Sequence, residues 1–104
     1  MSVHGLHHPT RREVRAAYGF DRALGFFVTV REGERVTAEY DRTRPGYDDL
    51  NGALRLLVAH GFFQPGDVDE AIRLSRTHEG AAMPRAAARV AKVLDDLRRG
   101  ADPW

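Results

Sequence analysis

Apolar and polar residues alternate in two runs between Phe26 and Tyr40. A period of two residues is the pattern of a half-buried β-strand. A three-residue loop, Glu32-Gly33-Glu34, would place apolar residues opposite one another across the two strands. The expected partners are Val30 with Val36, Val28 with Ala38, and Phe26 with Tyr40. The pattern therefore predicts a β-hairpin over about 26–40.

Three helices are predicted after the hairpin, each from apolar residues at helical spacing. The first apolar stripe begins at Leu50 and continues to Val58, and Gly61 follows as a helix stop. The second helix begins near Pro65, with Asp67 as a capping residue. The third runs from about Pro84 to Arg99. Its apolar stripe consists of Met83, Ala87, Val90, Leu94 and Leu97.

A short helix from about 11 to 18 is predicted before the hairpin. Thr10 and Glu13 have the spacing of a capping box, in which each side chain bonds the backbone of the other residue. Val14 and Tyr18 would lie on one face of this helix, and Gly19 could take the left-handed conformation that ends it. The preceding residues 1–9 are expected to be a flexible lead-in.

These elements together predict an α+β fold, a hairpin packed on a short N-terminal helix and three C-terminal helices. Residues 10–99 would form a single domain, followed by a tail over 100–104. The expected core consists of Val28, Val30, Val36, Leu50, Leu54, Leu57, Val58, Ile72, Val90, Leu94 and Leu97.

Composition indicates the general class of protein but not its function. The chain has 104 residues, of which 42% are hydrophobic and 30% are charged, which is typical of a globular domain. It has no cysteine, so disulfides, thiolate metal sites and a cysteine nucleophile are excluded. The N-terminus lacks the pattern of a signal peptide and no apolar run is long enough to span a membrane. We expect a cytoplasmic protein.

The chain offers little for catalysis or for a cofactor. It contains no glycine-rich phosphate loop and no serine in a nucleophile motif. Carboxylates that are neighbours on a helix, as at Asp95 and Asp96, point about 100° apart and cannot share one site. The histidines His4, His7 and His8 lie close in sequence, but a structural metal site needs about four ligands held by the fold. We expect no enzyme activity, no cofactor and no metal.

Nucleic-acid binding is an alternative function that two basic clusters support. The formal net charge is only +1, so attraction to the phosphates of a nucleic acid depends on where the basic residues lie. The last helix would carry an outward basic row able to follow phosphates, although a solvated helix face needs such charges anyway. That row consists of Arg85, Arg89, Lys92 and Arg99. A second cluster consists of Arg11, Arg12 and Arg15.

Protein binding is the leading hypothesis. An isolated hairpin leaves two strand edges open to a strand from the same chain, a second copy or a partner. Phe27 and Thr29 lie on the more polar hairpin face, and Phe63 directly follows another phenylalanine. Trp104 ends the printed sequence, and tryptophan often anchors interfaces. We therefore predict a non-enzymatic interaction module, such as a small regulator, inhibitor or accessory protein, whose partner is another protein or a second copy.

Overall fold

The described residues form a four-stranded antiparallel sheet and three helices, of which the first and third contact the strands and the second packs on the third. The computed structural model describes residues 2–76 and 83–101. The strands follow one another across the sheet in the order of the chain. They are β1 (Ser2–His7), β2 (Val14–Asp21), β3 (Gly25–Glu32) and β4 (Arg35–Tyr40). The helices are α1 (Asp49–Ala59), α2 (Pro65–Ser75) and α3 (Arg85–Ala101). The predicted α+β class is confirmed.

The predicted N-terminal helix is wrong, because this segment forms β2. Val14, Ala16 and Tyr18 are buried, and the residues between them point to the opposite face. This is the period of a strand, and β2 is hydrogen-bonded to a strand on each side. The expected capping box is also absent, since the Thr10 amide donates to Nδ1 of His8. Pairing on two sides outweighs the weak helix preference of a short segment.

Residues 2–7 form strand β1 at the edge of the sheet, where the sequence suggested a flexible lead-in. Leu6 pairs with Ala16 of β2 and packs against the core. The N-terminal segment is therefore part of the folded sheet. At the other end of the chain, α3 continues to Ala101, into the predicted tail.

The β3–β4 hairpin exists, but its register differs from the predicted one by one residue next to the turn and by two residues from Val30 onward. Val30 pairs with Ala38, and Glu32 pairs with Arg35, so the loop has two residues. Gly33 has φ of +61°, the left-handed value that the first central position of a type II′ turn requires. A bulge then shifts the pairing beyond Arg31. Val36, expected in the core, is consequently 39% exposed.

The core lies between the sheet and the helices. Seven of the expected core residues are buried: Val28, Val30, Leu54, Leu57, Val90, Leu94 and Leu97. Three more, Leu50, Val58 and Ile72, are partly buried at its margin. The strand β2 and the turn after α1 supply residues that the sequence did not indicate. These are Val14, Ala16, Tyr18, Phe62 and Phe63.

Two stacked tyrosines fix the connection between the sheet and α1. The rings of Tyr40 and Tyr47 stack with centroids 5.2 Å apart. The Tyr40 hydroxyl donates to the carbonyl of Asp49 at 2.7 Å and accepts from the amide of Asp48 at 2.8 Å. The first turn of α1 is thus bonded directly to the end of β4. Gly52 lies against the Tyr40 ring, where a side chain has no room.

The close approach of α1 to Tyr40 predicts a steric effect at Gly52. Gly52→Ala should destabilise the protein by about 1–3 kcal/mol, because its new methyl group would overlap the Tyr40 ring. Chemical denaturation measures the change in the free energy of unfolding. Gly66→Ala is the matched control, since that position in α2 has open space and alanine favours helix by up to about 1 kcal/mol. Equal effects of the two substitutions would contradict this packing.

Candidate interaction surface

The sheet has one face packed on the helices and an opposite face, here called the outer face, on which no described helix packs. Side chains alternate between the faces, so the strand register identifies the outer residues. They form three rows across the strands. The rows are Val3–Gly19–Phe27, Gly5–Ala17–Thr29–Glu39 and His7–Arg15–Arg31–Val36.

The outer face carries exposed apolar side chains at two of its corners. Val3 is 57% exposed and Val36 is 39% exposed, and they are the exposed large hydrophobic residues of the described chain. Phe27 is partly exposed in the same row as Val3, with only Gly19 between them. Glycine cannot cover a neighbouring ring. Gly19 is itself buried in this row, and the next row carries the small residues Gly5 and Ala17.

Two arginines lie directly opposite each other on this face. Arg15 of β2 pairs with Arg31 of β3, and His7 of β1 lies on the far side of Arg15. Like charges at opposed positions of a sheet repel each other. Neither guanidinium has a carboxylate partner among the described residues, although ion pairs are frequent elsewhere on the surface. This end of the outer face is a cationic site with unused hydrogen-bond donors.

The predicted partner-binding residues divide between three locations. Phe27 and Thr29 both lie on the outer face, in adjacent rows of β3. Phe63 does not, because it is buried with only 5% of its surface exposed. Its ring lies beneath the guanidinium of Arg89, 5.3 Å from the ring centroid. Trp104 lies outside the described residues.

Arg89 holds the fold together and is not part of an outward basic row. Its Nη1 donates to the carbonyl of Phe62 at 2.8 Å, and its Nη2 donates to the carbonyl of His7. Burial lowers the pKa of Arg89. One side chain therefore ties α3 to the turn after α1 and to the end of β1.

The other basic residues of α3 are mostly paired within the helix. Lys92 bonds Asp96 at 3.0 Å, and Arg99 bonds Asp95 at 3.1 Å. Arg85 is exposed at the start of the helix, beside a groove lined by Pro9, Phe63 and Asp67. The expected row thus contains one unpaired cation among the described side chains.

The second basic cluster is also divided by the fold. Arg11 bridges Glu13 and Glu32 at 3.2 and 2.7 Å. Arg12 lines a small groove with His7 and His8. Of this cluster, the fold places only Arg15 on the outer face, opposite Arg31, and neither has a carboxylate partner among the described residues.

His8 fixes the loop between β1 and β2. Its Nδ1 accepts the amides of Thr10 and Arg11 at 3.1 and 3.0 Å, so Nε2 carries the proton and donates to the carbonyl of His60 at 3.1 Å. The ring also meets the edge of Phe62. His4 and His7 lie on opposite faces of β1, and the described residues contain no group of three ligands suited to a metal.

Asp96 is a partly buried acid, where the sequence suggested a solvated one. Tyr18 donates its hydroxyl to Oδ2 of Asp96 at 2.6 Å, and Lys92 approaches the same oxygen. Burial acts to raise the pKa of Asp96, but these hydrogen bonds and the nearby His4 outweigh it and hold the pKa below its usual value. The pKa of Tyr18 is raised, mainly because its hydroxyl is buried and also because it donates to the negatively charged Asp96. The pair links α3 to the middle of the sheet.

Comparison with protein-family models, with curated proteins and with solved structures found no match. In the described ranges of the chain, no helix is long and apolar enough to cross a membrane.

The contacts of Arg89 predict that it contributes to stability. Arg89→Met should lower the free energy of unfolding by about 1–3 kcal/mol, because the carbonyls of Phe62 and His7 lose a charged donor. Arg85→Met, on the same helix but exposed, should stay within about 0.5 kcal/mol of the parent. Thermal or chemical denaturation would show the difference, and two equal values would contradict the structural role of Arg89.

The lowered pKa of Asp96 predicts a pH-dependent contribution. The ionised carboxylate stabilises the folded state above the unfolded-state pKa of about 3.9, and this stabilisation is lost as the pH falls through the lower folded-state pKa. Asp96→Asn should therefore be less stable than the parent at pH 6, by about 1 kcal/mol, because a charged acceptor becomes neutral. The difference should shrink in urea titrations toward pH 3. A difference that is constant with pH would contradict the ionised pair.

Proposed function

We propose that this protein is a non-enzymatic interaction module that binds a partner protein on the outer face of its sheet. The observation that supports the proposal is the one-sided packing of the sheet. The helices cover one face, whereas the described chain leaves Val3 and Val36 exposed and Phe27 partly exposed on the other. A binding partner would cover apolar surface that otherwise meets water, at about 25 cal/mol per Å² removed.

The residue types on the outer face suit a protein partner. Interface centres are enriched in aromatic residues and arginine, and they are surrounded by a polar rim. Phe27 lies in the first row of the face, and Arg15 with Arg31 lies in the row at the other end, with Ala17 and Thr29 between them. The small residues Gly5 and Ala17 would let a partner backbone or side chain approach the sheet closely. The two arginines would fix the orientation of the bound partner through bidentate hydrogen bonds to one of its carboxylates.

Nucleic-acid binding remains a second candidate function, with a different site from the one that the sequence indicated. The basic residues of α3 offer little support, because Arg89, Lys92 and Arg99 already have partners. The supporting observation is the open sheet, on which Phe27 could stack on a base and the Arg15–Arg31 pair could bind a phosphate. Within the described residues, the Arg15–Arg31 pair provides only a short track of unpaired cations, so we favour a protein partner.

The proposal predicts site-specific cross-linking from the outer face. A photoreactive phenylalanine analogue placed at Phe27, in cells of the source organism, should give an adduct with a distinct protein. The same analogue at Arg98, which is exposed on α3, should give no such adduct. Mass spectrometry identifies the adduct. Equal labelling from both positions would contradict an outer-face site, and an adduct with nucleic acid would establish the second candidate.

Charge reversal tests the cationic margin with the same readout. Arg15→Glu combined with Arg31→Glu should abolish the Phe27 adduct while leaving stability within about 1 kcal/mol, since both side chains are exposed. Arg98→Glu is the control, and it should leave the adduct yield unchanged. An unaffected adduct in the double variant would show that the arginines are not part of the site.

A further inference from the structure

We propose that a second copy of this chain pairs with the free edge of β1 in antiparallel orientation, centred on His4, to make one continuous eight-stranded sheet. The site is the row of backbone groups along Ser2–His7 that faces away from β2. The proposal does not depend on the partner of the outer face, because an edge pairs in the plane of the sheet.

The ladder between β1 and β2 shows which backbone groups are available. In an antiparallel pair, alternate residues direct both their N–H and C=O toward the neighbouring strand. The amide of His8 donates to the carbonyl of Val14, which assigns the even residues of β1 to the ladder with β2. Val3, Gly5 and His7 must therefore direct their backbone groups outward. The bond from Arg89 to the carbonyl of His7 confirms that this group points away from β2.

The same bond determines the register of the pairing. Because Arg89 occupies the His7 carbonyl, the outward residues with both groups available are Val3 and Gly5. Within the described chain, no donor or acceptor outside the ladder reaches either of them. A two-fold axis at His4 places Val3 of each copy opposite Gly5 of the other. Four bonds then form, and they use every available group of both residues.

The sequence of β1 also favours its own copy. Edge strands that avoid pairing carry charged residues, proline or a bulge. Ser2–His7 contains no lysine, arginine, acidic residue or proline, and its pairing with β2 has no bulge. The opposite edge is protected, because β4 has charges at Arg35 and Glu39 and a bulge beside Val36. Because β1 lacks these protecting features and β4 has them, β1 is the edge suited to self-association.

The surroundings of β1 leave room for the second copy. A Cβ atom at Gly5 would meet nothing within 4 Å, so no described side chain covers the middle of the strand on the outer face. Val3 of one copy would lie beside Gly5 of the other, on the same face. The exposed side chain of Val3 would thereby gain a neighbour, and the two outer faces would join into one larger surface.

The first test is the mass in solution. Sedimentation equilibrium of the full chain should show a concentration-dependent dimer of the 11.7 kDa chain. Gly5→Pro should shift it to monomer, because proline removes an outward N–H that the ladder with β2 does not use. Gly5→Ala is the matched control and should still dimerise. A parent protein that stays monomeric up to about 1 mM, or a Gly5→Pro dimer, would overturn the proposal.

The second test measures the register between the two copies of β1. Because the chain has no native cysteine, introduced cysteines are the only ones that can form a disulfide. A tagged Val3→Cys chain mixed with an untagged Gly5→Cys chain should form a mixed disulfide under mild oxidation. Opposed residues of a hydrogen-bonded pair lie about 5.5 Å apart at Cα, within disulfide range. The two Val3 positions would be more than about 7 Å apart, too far to cross-link. A preference for the Val3→Cys homodimer would overturn the His4-centred register.

These outcomes are distinguishable from failure of the proposed function. A monomer that still gives the Phe27 adduct would overturn the pairing of β1 and leave the outer-face proposal intact. A dimer without any Phe27 adduct would overturn the outer-face proposal and leave the pairing of β1 intact. A monomer that loses a foreign-protein adduct on Gly5→Pro would place a foreign strand on this edge, which also overturns self-pairing.

Discussion

The rest of the structure depends on strand β2, which is paired on both sides and buried on one face. Val14, Ala16 and Tyr18 pack against the helices, while β1 and β3 bond its two edges. An isolated hairpin is only marginally stable in water, and β2 and β1 extend it to a sheet that can carry a helical layer. The hydroxyl of Tyr18 then reaches Asp96 and connects this central strand to α3.

This arrangement also explains why binding surfaces remain. The described helices lie on one side of the sheet, where α1 and α3 contact the strands, so the alternation that buries Val14 and Ala16 must present Arg15 and Ala17 on the other. The meander order leaves β1 and β4 as the two edges. The outer face and the β1 edge are therefore consequences of the same topology, and both meet at Val3. The two proposals use adjoining surfaces for different contacts.

The basic residues show how the fold assigns different roles to one residue type. Arg89 is committed to two backbone carbonyls and an aromatic ring, whereas Arg11 and Arg99 are paired with carboxylates on the surface. Arg15 and Arg31 face each other without an acidic partner in the described chain. Arginine content alone could not separate these roles, because each depends on residues that are distant in sequence.

The sequence by itself determined the α+β class, the β3–β4 hairpin and the regions of the three helices, because their apolar periods are long and unambiguous. It also identified Phe27 and Thr29 as lying away from the core side of the hairpin. Only the tertiary structure decided that 14–21 is a strand, because Val14 and Tyr18, four residues apart, share a face in a helix and in a strand until β1 and β3 pair with this segment. It likewise decided that Phe63 is buried and Arg89 is bonded, since their partners come from other elements. Local pattern determines an element where its period is long, whereas short segments, burial and pairing depend on contacts between residues far apart in the chain.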